Sequence, residues 1–221
     1  MTNNIKLQEV CKQLHIPVVG TTSWPLPIEA RKILQESNPC PFTAADIDER
    51  LIGTTDFMPH SAIVCLFPYH VPHEGPTNLS RYTWATDYHL VVTDYLQRLV
   101  DELKTTAPDA SFSIHCDTSP LADRYMAYLA GLGFYGKNKC FINPTWGSYI
   151  VIGTVLTTLE FETNTPMTDT CMGCNRCITS CLGQCLNGNA FNYATCKSYL
   201  TQKKGDLTDD EQAIIRKSPL L

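Results

Sequence analysis

The stretch TDYHLVVTDYLQRLVDELKTT, residues 86–106, is followed closely by SFSIHCD, residues 111–117. In the first stretch, apolar side chains recur at the spacing of one helix face. These side chains are Leu90, Val91, Tyr95, Leu96, Leu99, Val100 and Leu103. The second stretch predicts a strand. A helix that leads directly into a strand is the repeating unit of a layered α/β domain.

Helix and strand patterns alternate on both sides of this unit. The segment IKLQEVCKQLHIPVVG, residues 5–20, predicts a helix that runs into a short strand. The segment SAIVCLFPY, residues 61–69, is a compact apolar run with a proline near its end, which is typical of a buried strand. The segment SYIVIGTVLTTLEF, residues 148–161, is rich in branched residues and predicts another strand.

One more helix is indicated between the last two strands. Ser119 followed by Pro120 is typical of a helix start, because serine caps the helix and proline suits its first turn. The apolar pattern continues until Gly131 or Gly133 ends the helix. We therefore predict a layered α/β domain over residues 1–165.

The composition predicts an ordinary globular protein. The 221 residues are 43% hydrophobic and 18% charged, with a formal net charge of −5. A net negative charge argues against binding nucleic acid through the overall electrostatic field of the protein, although a local basic groove remains compatible with this charge.

The N-terminal residues lack the pattern of a signal peptide, and the longest apolar run is too short to span a bilayer. We predict a cytoplasmic protein without a membrane segment.

A cysteine-rich module is predicted for residues 166–221. The polar stretch ETNTPMTDT, residues 162–170, has the composition of a linker. Behind it, four cysteines follow the spacing C-x2-C-x2-C-x3-C: Cys171, Cys174, Cys177 and Cys181. This spacing is that of bacterial [4Fe–4S] ferredoxins. A structural zinc site is the alternative, although zinc usually takes two ligand pairs that lie a dozen or more residues apart.

Four stretches of this sequence together resemble the cobalamin-dependent epoxyqueuosine reductases, iron–sulfur enzymes of queuosine tRNA modification. They are NLSRYTWATDYH at 78–89, DTSPLADRYMAYLAGLGFYGKNKCFINPTWGS at 117–148, the cysteine run, and CKSYLT at 196–201. They span most of residues 60–201 in the family's order. The resemblance implies a cobalamin-binding α/β domain followed by a partial ferredoxin-like iron–sulfur module. It also implies a tRNA substrate and an external electron donor.

The resemblance assigns the cysteines to two [4Fe–4S] clusters. The first three cysteines of the run share one cluster, and Cys181 and Cys196 belong to the other. Cys185 has no counterpart, so a buried free thiol and a replacement ligand both stay open. In that family a second cysteine run follows a stretch like IIRKSPLL, residues 214–221, where this sequence stops. The resemblance therefore implies either a sequence cut short inside the module or a short relative.

Asp117 matches the aspartate that serves as the proton donor in that family. Read locally, Asp117 is a turn or capping carboxylate ahead of the helix expected at Ser119. Removal of an epoxide oxygen needs a proton at the leaving oxygen, and a carboxylic acid can supply it.

Cofactor contacts are predicted in two other places. Small and polar residues in AGLGFYGKN let a macrocycle approach the backbone; they are Gly131, Gly133, Gly136, Lys137 and Asn138. A helix C-cap followed by a tight turn explains the same glycines. Arg81, Tyr82 and Arg124 suit contacts with the polar rim of the cofactor or with the tRNA phosphates. The alternative is that they form an ordinary solvated surface.

The residues DYH at 87–89 resemble the start of the cobalamin motif DxHxxG. The glycine that ends this motif is absent from the sequence, and we interpret the three residues as helix surface.

The resemblance thus implies a cobalamin- and iron–sulfur-dependent reductase that converts epoxyqueuosine in tRNA to queuosine. Two alternatives stay open: an iron–sulfur electron carrier without chemistry of its own, and a related reductase of another electrophile. Binding of cobalamin separates the carrier from the two reductases.

Overall fold

The computed structural model describes residues 3–36, 40–72, 80–187 and 190–217. Within them the helices are α1 (Asn3–Gln13), α2 (Ile28–Glu36), α3 (Ile47–Ile52), α4 (Tyr88–Lys104), α5 (Asp123–Leu129), α6 (Arg176–Thr179), α7 (Lys197–Leu200) and α8 (Asp209–Arg216). The strands are β1 (Val18–Ser23), β2 (Ser61–Pro68), β3 (Phe112–Cys116), β4 (Phe134–Tyr135), β5 (Phe141–Ile142), β6 (Ile150–Thr157), β7 (Leu186–Asn187) and β8 (Ala190–Phe191). Short 3-10 turns cover Arg81–Trp84 and Tyr193–Thr195.

The main sheet has the strand order β1-β2-β6-β3. Each neighbouring pair is antiparallel, and β2 pairs with β6 from Ser61 opposite Thr157 to Pro68 opposite Ile150. Helices and strands are mixed along the chain, so the expected α/β class is confirmed. The sequence did not predict the direction of the strands. Because β6 runs antiparallel to both β2 and β3, its start lies next to the ends of these two strands.

Both faces of the sheet are buried, which explains the unbroken apolar run of β2. Ile63 and Cys65 point into a core that α1 and α4 complete. Val64 and Leu66 point to the opposite side, into a core shared with α2, α3 and α5. Successive side chains of a strand alternate between faces, so each face receives half of the run. Full burial of such an aliphatic side chain contributes about 1.5–3 kcal/mol.

The longest helix, α4, turns a narrower apolar face to the sheet than expected. Its buried side chains are Val92, Leu96, Leu99, Val100 and Leu103. Leu90 and Val91 were expected on this face, but they are 68% and 36% exposed. Each helical residue turns by about 100°, so Leu90 lies nearly opposite Val92. Among the described residues, no helix is both long enough and apolar enough to cross a membrane.

The helix predicted to start at Ser119 begins instead at Asp123. Ser119 accepts a hydrogen bond from the Leu121 N–H at 3.2 Å, which closes a turn rather than the first turn of the helix. The Ala122 N–H then donates to the Arg50 carbonyl at 3.1 Å. This bond to the end of α3 fixes the chain before the helix starts, a tertiary contact that the local pattern does not contain.

Part of the predicted linker is held against the sheet. The Thr21 N–H donates to Asn164 Oδ1 at 2.7 Å, and the Asn164 N–H donates to the Thr21 carbonyl at 2.9 Å. Asn4 accepts from the Glu162 N–H at 2.8 Å. Residues 162–164 therefore cover the outer edge of β1, which has a neighbour strand only on its other side.

Gly131 ends α5 in a left-handed conformation, with φ at +70°. A Cβ atom there would lie 2.5 Å from the Thr165 carbonyl oxygen, whereas at Gly205, with φ at +90°, nothing lies within 4 Å. We expect Gly205→Ala to destabilise the protein by about 1 kcal/mol through backbone strain. We expect Gly131→Ala to cost about 1–3 kcal/mol more, because the segment at Thr165 must move. Urea unfolding of both variants measures the difference, and equal losses would contradict the packing role of Gly131.

Candidate active site

Asp117 follows β3 directly and has a φ of +57°. Aspartate enters this left-handed region more readily than most residues, but such strain still costs energy and tends to persist at functional sites. The Thr118 N–H donates to the Cys116 carbonyl at 2.6 Å and closes the turn. The turn places the Asp117 carboxylate on the wall of a cavity at the end of the sheet.

The first turn of α4 contacts this carboxylate. The Tyr88 hydroxyl donates to Asp117 Oδ2 at 2.6 Å, and His89 Nε2 lies 3.2 Å from the same oxygen. On its other side, His89 Nδ1 lies 2.8 Å from Asp87 Oδ1. Asp87 also caps α4 by accepting from the His89 N–H at 2.9 Å. The imidazole therefore bridges two carboxylates and connects the cap of α4 with Asp117.

These contacts change the acidity of the groups involved. The neighbouring carboxylate of Asp87, and then that of Asp117, raise the pKa of His89. Burial, followed by the hydrogen bond to Asp117, raises the pKa of Tyr88, so the phenol remains a donor. Hydrogen bonds from His89 lower the pKa of Asp87. Near neutral pH, His89 therefore holds its proton more firmly than a free histidine does.

The local alternative for Asp117, a turn or capping carboxylate, holds for the turn but not for the cap. The N-cap of α5 is Ala122, which makes no side-chain capping bond. The carboxylate of Asp117 is instead engaged by Tyr88 and His89, both from α4. The Asp117 side chain is thus held by a helix distant in sequence and lines the cavity.

The cavity beside Asp117 has a volume of about 450 Å³. Aromatic rings form much of its wall: Tyr69, Tyr82, Tyr88 and Phe141. The rings of Tyr82 and Tyr88 meet edge to face at 5.9 Å, and those of Tyr69 and Tyr82 at 6.3 Å. Edge-to-face packing holds such rings in place and leaves apolar faces for a flat ligand.

Tyr82 reaches this cavity from the 3-10 turn that precedes α4, and Arg81 of the same turn lies beside it. Tyr82 lines the cavity and is 44% exposed. The Arg81 guanidinium hydrogen-bonds His70 and lies 5.6 Å from the centre of the Tyr149 ring. Arg81 is therefore held in place by His70 and Tyr149. The part of the resemblance at residues 78 and 79 lies outside the described residues.

A second, larger cavity of about 1060 Å³ adjoins the first. Asp123, Arg124 and Cys140 line both cavities. Burial raises the pKa of Asp123 despite the neighbouring Arg124. Of the predicted cofactor contacts, Gly136 and Asn138 lie on the wall of this second cavity.

Gly131 and Gly133 have backbone neighbours instead. A Cβ atom at Gly133 would lie 2.2 Å from the Ile142 carbonyl oxygen, and one at Gly131 would meet Thr165. Both glycines thus allow close packing around the end of α5, and the left-handed φ of Gly131 fits the C-cap alternative. Neither lines the two cavities, so the structure does not bring them together with Asp117.

Lys137 lies in the loop between β4 and β5 and contacts the cysteine run. Its N–H donates to the thiol of Cys171, and this bond, with another from the Gly173 N–H, lowers the pKa of Cys171. Its ammonium group donates to Asn175 Oδ1 at 2.9 Å. Lys137, predicted as a cofactor contact, therefore lies against the cysteines rather than against Asp117.

Three further thiols, of Cys181, Cys185 and Cys196, contact one another after α6 in the chain. Cys181 Sγ and Cys185 Sγ are 3.2 Å apart, and Cys196 hydrogen-bonds Cys185 from the other side. Burial, then contact with Cys181, raises the pKa of Cys185 to about 12. Although burial opposes it, hydrogen bonds from Cys185 and from nearby N–H groups lower the pKa of Cys181. In the described part of the chain, no three His, Cys, Asp or Glu side chains are arranged to hold a metal ion as they stand.

Sequence reasoning missed Tyr88, His89 and Asp123 as site residues. The triplet DYH at 87–89 was interpreted as helix surface, and His89 is indeed half-exposed. Its partner Asp117 lies 28 residues further along the chain. One signal was available: three polar or aromatic residues at a helix start inside a stretch that resembles an enzyme family.

The raised pKa of His89 predicts a pH-dependent contribution to stability. A raised folded-state pKa stabilises the fold below the unfolded value of about 6.5, and the gain is lost as pH rises through the folded value. We expect wild type to lose stability relative to His89→Gln between pH 6 and pH 9. The effect is small, because exposed ion pairs contribute little. Urea unfolding at both pH values measures it, and a difference independent of pH would contradict the assignment.

Known proteins share this fold and sequence pattern. The family model described as epoxyqueuosine reductase QueG, DUF1730, matches residues 57–118, which include β2, α4, β3 and Asp117. Epoxyqueuosine reductase from Bacillus cereus is 38% identical over 131 residues, 59% of this chain and 34% of that protein. The chain thus spans about a third of the length of the curated relatives it matches.

Solved structures extend the similarity to nearly all of this chain. Epoxyqueuosine reductase from Bacillus subtilis, with its catalytic aspartate loop swung out of the active site, matches with a TM-score of 0.82 at 28% identity, over 96% of this chain and 60% of that one. Epoxyqueuosine reductase with a modified tyrosine tRNA stem loop matches with a TM-score of 0.81 at 28% identity, over 94% and 59%. The predicted resemblance to the epoxyqueuosine reductases is therefore confirmed.

Proposed function

We propose that this chain forms the catalytic part of a cobalamin- and iron–sulfur-dependent reductase that converts epoxyqueuosine in tRNA to queuosine in the cytoplasm. The observation that carries the proposal is Asp117, a carboxylate on a strained turn that Tyr88 and His89 hold at the wall of an aromatic cavity. The Bacillus subtilis relative has a catalytic aspartate loop, and another relative has a tRNA stem loop that carries epoxyqueuosine.

The residues around the two cavities suit cobalamin. A corrin ring is flat and partly apolar, and the tyrosine-lined cavity offers ring faces to it. The adjoining cavity supplies the further space that so large a cofactor needs, with Gly136 and Asn138 on its wall. We assign contacts with the polar rim of the ring to Tyr82, which lines the first cavity, and to Arg81 beside it. When bound, cobalamin supplies the low-valent cobalt that transfers electrons to the substrate.

Residues of this chain donate a proton to the oxygen that leaves the epoxide. Conversion of the epoxide to an alkene takes two electrons and two protons and releases the oxygen as water. Tyr88 and His89 both contact Oδ2 of Asp117, so we assign the transferred proton to Oδ1. His89, held between the carboxylates of Asp87 and Asp117, orients the Asp117 carboxyl group for this transfer, and solvent returns the proton to it afterwards. Asp117 thus delivers one of the two protons that the leaving oxygen takes up, and solvent supplies the other.

The cysteine module would supply the electrons. We propose that Cys171, Cys174 and Cys177 hold one [4Fe–4S] cluster and that Cys181 and Cys196 contribute to a second, because three thiols at this spacing fit a cubic cluster. The module would occupy residues 166–221, behind the domain of residues 1–165. Lys137, which belongs to the loop before β5 and contacts the cysteine run, lies where the two parts meet. An external donor must reduce the clusters.

Cobalt in this site should have no protein histidine as a ligand. His89 is engaged by Asp87 and Asp117, and the glycine of the DxHxxG motif is absent. We expect the Co(II) electron paramagnetic resonance spectrum of the chain to lack nitrogen superhyperfine splitting when cobinamide, which has no base of its own, replaces cobalamin. Splitting that disappears in His89→Gln would contradict this assignment.

Turnover tests the function itself. The anaerobic protein is mixed with cobalamin, a chemical reductant and a tRNA stem loop that carries epoxyqueuosine. We expect a corrinoid spectrum of the bound cofactor and queuosine in the digested RNA. Iron without any cobalamin binding would favour the electron carrier, and zinc alone would contradict both. Cobalamin binding without queuosine would favour the reductase of another electrophile.

A further inference from the structure

One close thiol contact pairs Cys181, which the family resemblance assigns to a cluster, with Cys185, which has no counterpart in the family. Cys181 Sγ and Cys185 Sγ are 3.2 Å apart, and none of the chain's eleven cysteines is in a disulfide in this structure. Cys185 is only 6% exposed, whereas Cys181 is half-buried. A disulfide requires the two sulfur atoms to approach by roughly a further 1 Å, to about 2.05 Å.

The local backbone keeps these two side chains together. The Gln184 N–H donates to the Cys181 carbonyl at 3.0 Å and closes a turn, and Gln184 itself has a φ of +48°. The Asn192 N–H donates to the Cys185 carbonyl at 2.9 Å, which ties Cys185 to the hairpin of β7 and β8. The turn and the hairpin thus hold one thiol against the other.

We propose that Cys181 and Cys185 form a covalent modification site, in which an external low-molecular-weight disulfide oxidises them to an intramolecular disulfide. The more exposed Cys181 thiolate attacks one sulfur of the external disulfide and releases its first thiolate. Cys185 loses its proton and attacks Cys181 Sγ, which forms the protein disulfide and releases the second thiolate. The protein gives up two electrons, and its two protons go to the two released thiolates.

The consequence for the module rests on the proposed function. If Cys181 is a cluster ligand, the disulfide removes it from the ligand set, and reduction returns it. Cys185, which has no counterpart in the family pattern, would thus give this chain a reversible block on cluster loading.

Thiol mapping tests the pair in the full chain, purified without iron and reduced. The protein is equilibrated with increasing ratios of oxidised to reduced glutathione, alkylated, and cleaved after Leu182, which separates the two cysteines. We expect a linked pair of peptides joined through Cys181 and Cys185, with the loss of two of the eleven thiols. Cys40→Ser, which removes a cysteine outside this group, should form the same bond, and Cys185→Ser should lose it.

Two outcomes would overturn the proposal: Cys185 alkylated at every ratio, or Cys185 linked to Cys196 instead. These results do not depend on what the chain reduces, because no cofactor or substrate is present. Iron uptake by the oxidised and the reduced chain is then compared. If the disulfide forms but iron uptake is unchanged, the modification site stands, and the ligand role of Cys181 in the proposed function is wrong.

Discussion

Replacement of Asp117 by Asn is expected to lower the rate of epoxyqueuosine reduction by about 10²–10⁴-fold, the usual contribution of a general acid. The amide keeps the shape of the carboxylate but cannot carry the proton. Asparagine also tolerates the left-handed backbone at this position, where φ is +57°, so the turn after β3 should survive. Cobalamin affinity should stay nearly unchanged, since the loss concerns the proton.

Single-turnover reduction of the modified stem loop, together with cobalamin titration, measures both quantities. Asp94→Asn is the matched control, because Asp94 lies on the same helix as His89 and its side chain is 67% exposed. A rate within a few-fold of wild type in Asp117→Asn would contradict the acid role. If this variant failed to fold while Asp94→Asn folded, the carboxylate would be structural.

The elements of the α/β domain could be predicted because their patterns are local. The apolar runs of β2 and β6 and the spacing along α4 are written in consecutive residues, and all three elements lie where the sequence places them. The start of α5 could not be predicted in the same way. Ser119 has the pattern of a cap, but the bond between Ala122 and Arg50 decides where the helix begins. That bond joins residues that only the folded sheet brings together.

In the candidate site, too, local patterns could be predicted and contacts between distant residues could not. Asp117 was identified through the resemblance, but its partners Tyr88 and His89 come from a helix on one face of the sheet and meet it only at the sheet's end. The spacing of the cysteine run predicts its chemistry. The contact of Cys185 with Cys181 follows from a turn at Gln184 that the spacing does not encode.

The second large effect concerns the cysteine run. We expect Cys174→Ser to abolish most of the visible absorption of a chain reconstituted anaerobically with iron and sulfide. Metal binding supplies about 10–16 kcal/mol in small zinc modules. If one lost thiolate costs several kcal/mol of that sum, the affinity for the cluster falls by orders of magnitude, since about 1.4 kcal/mol is tenfold in a binding constant. The helices around the run are as short as α6, with 4 residues, and have little stability of their own.

The total iron content should also stay below that of two full clusters. The resemblance assigns five cysteines of this chain to clusters that together need eight thiolates, so we expect fewer than about eight iron atoms per chain. Cys40→Ser is the control for both measurements, because Cys40 lies outside the run, and it should load iron as wild type does. Two measurements decide the result: iron per chain and the circular dichroism of the reconstituted protein. Eight iron atoms in wild type would show that other residues complete the clusters, and full absorption in Cys174→Ser would remove that thiol from the ligand set.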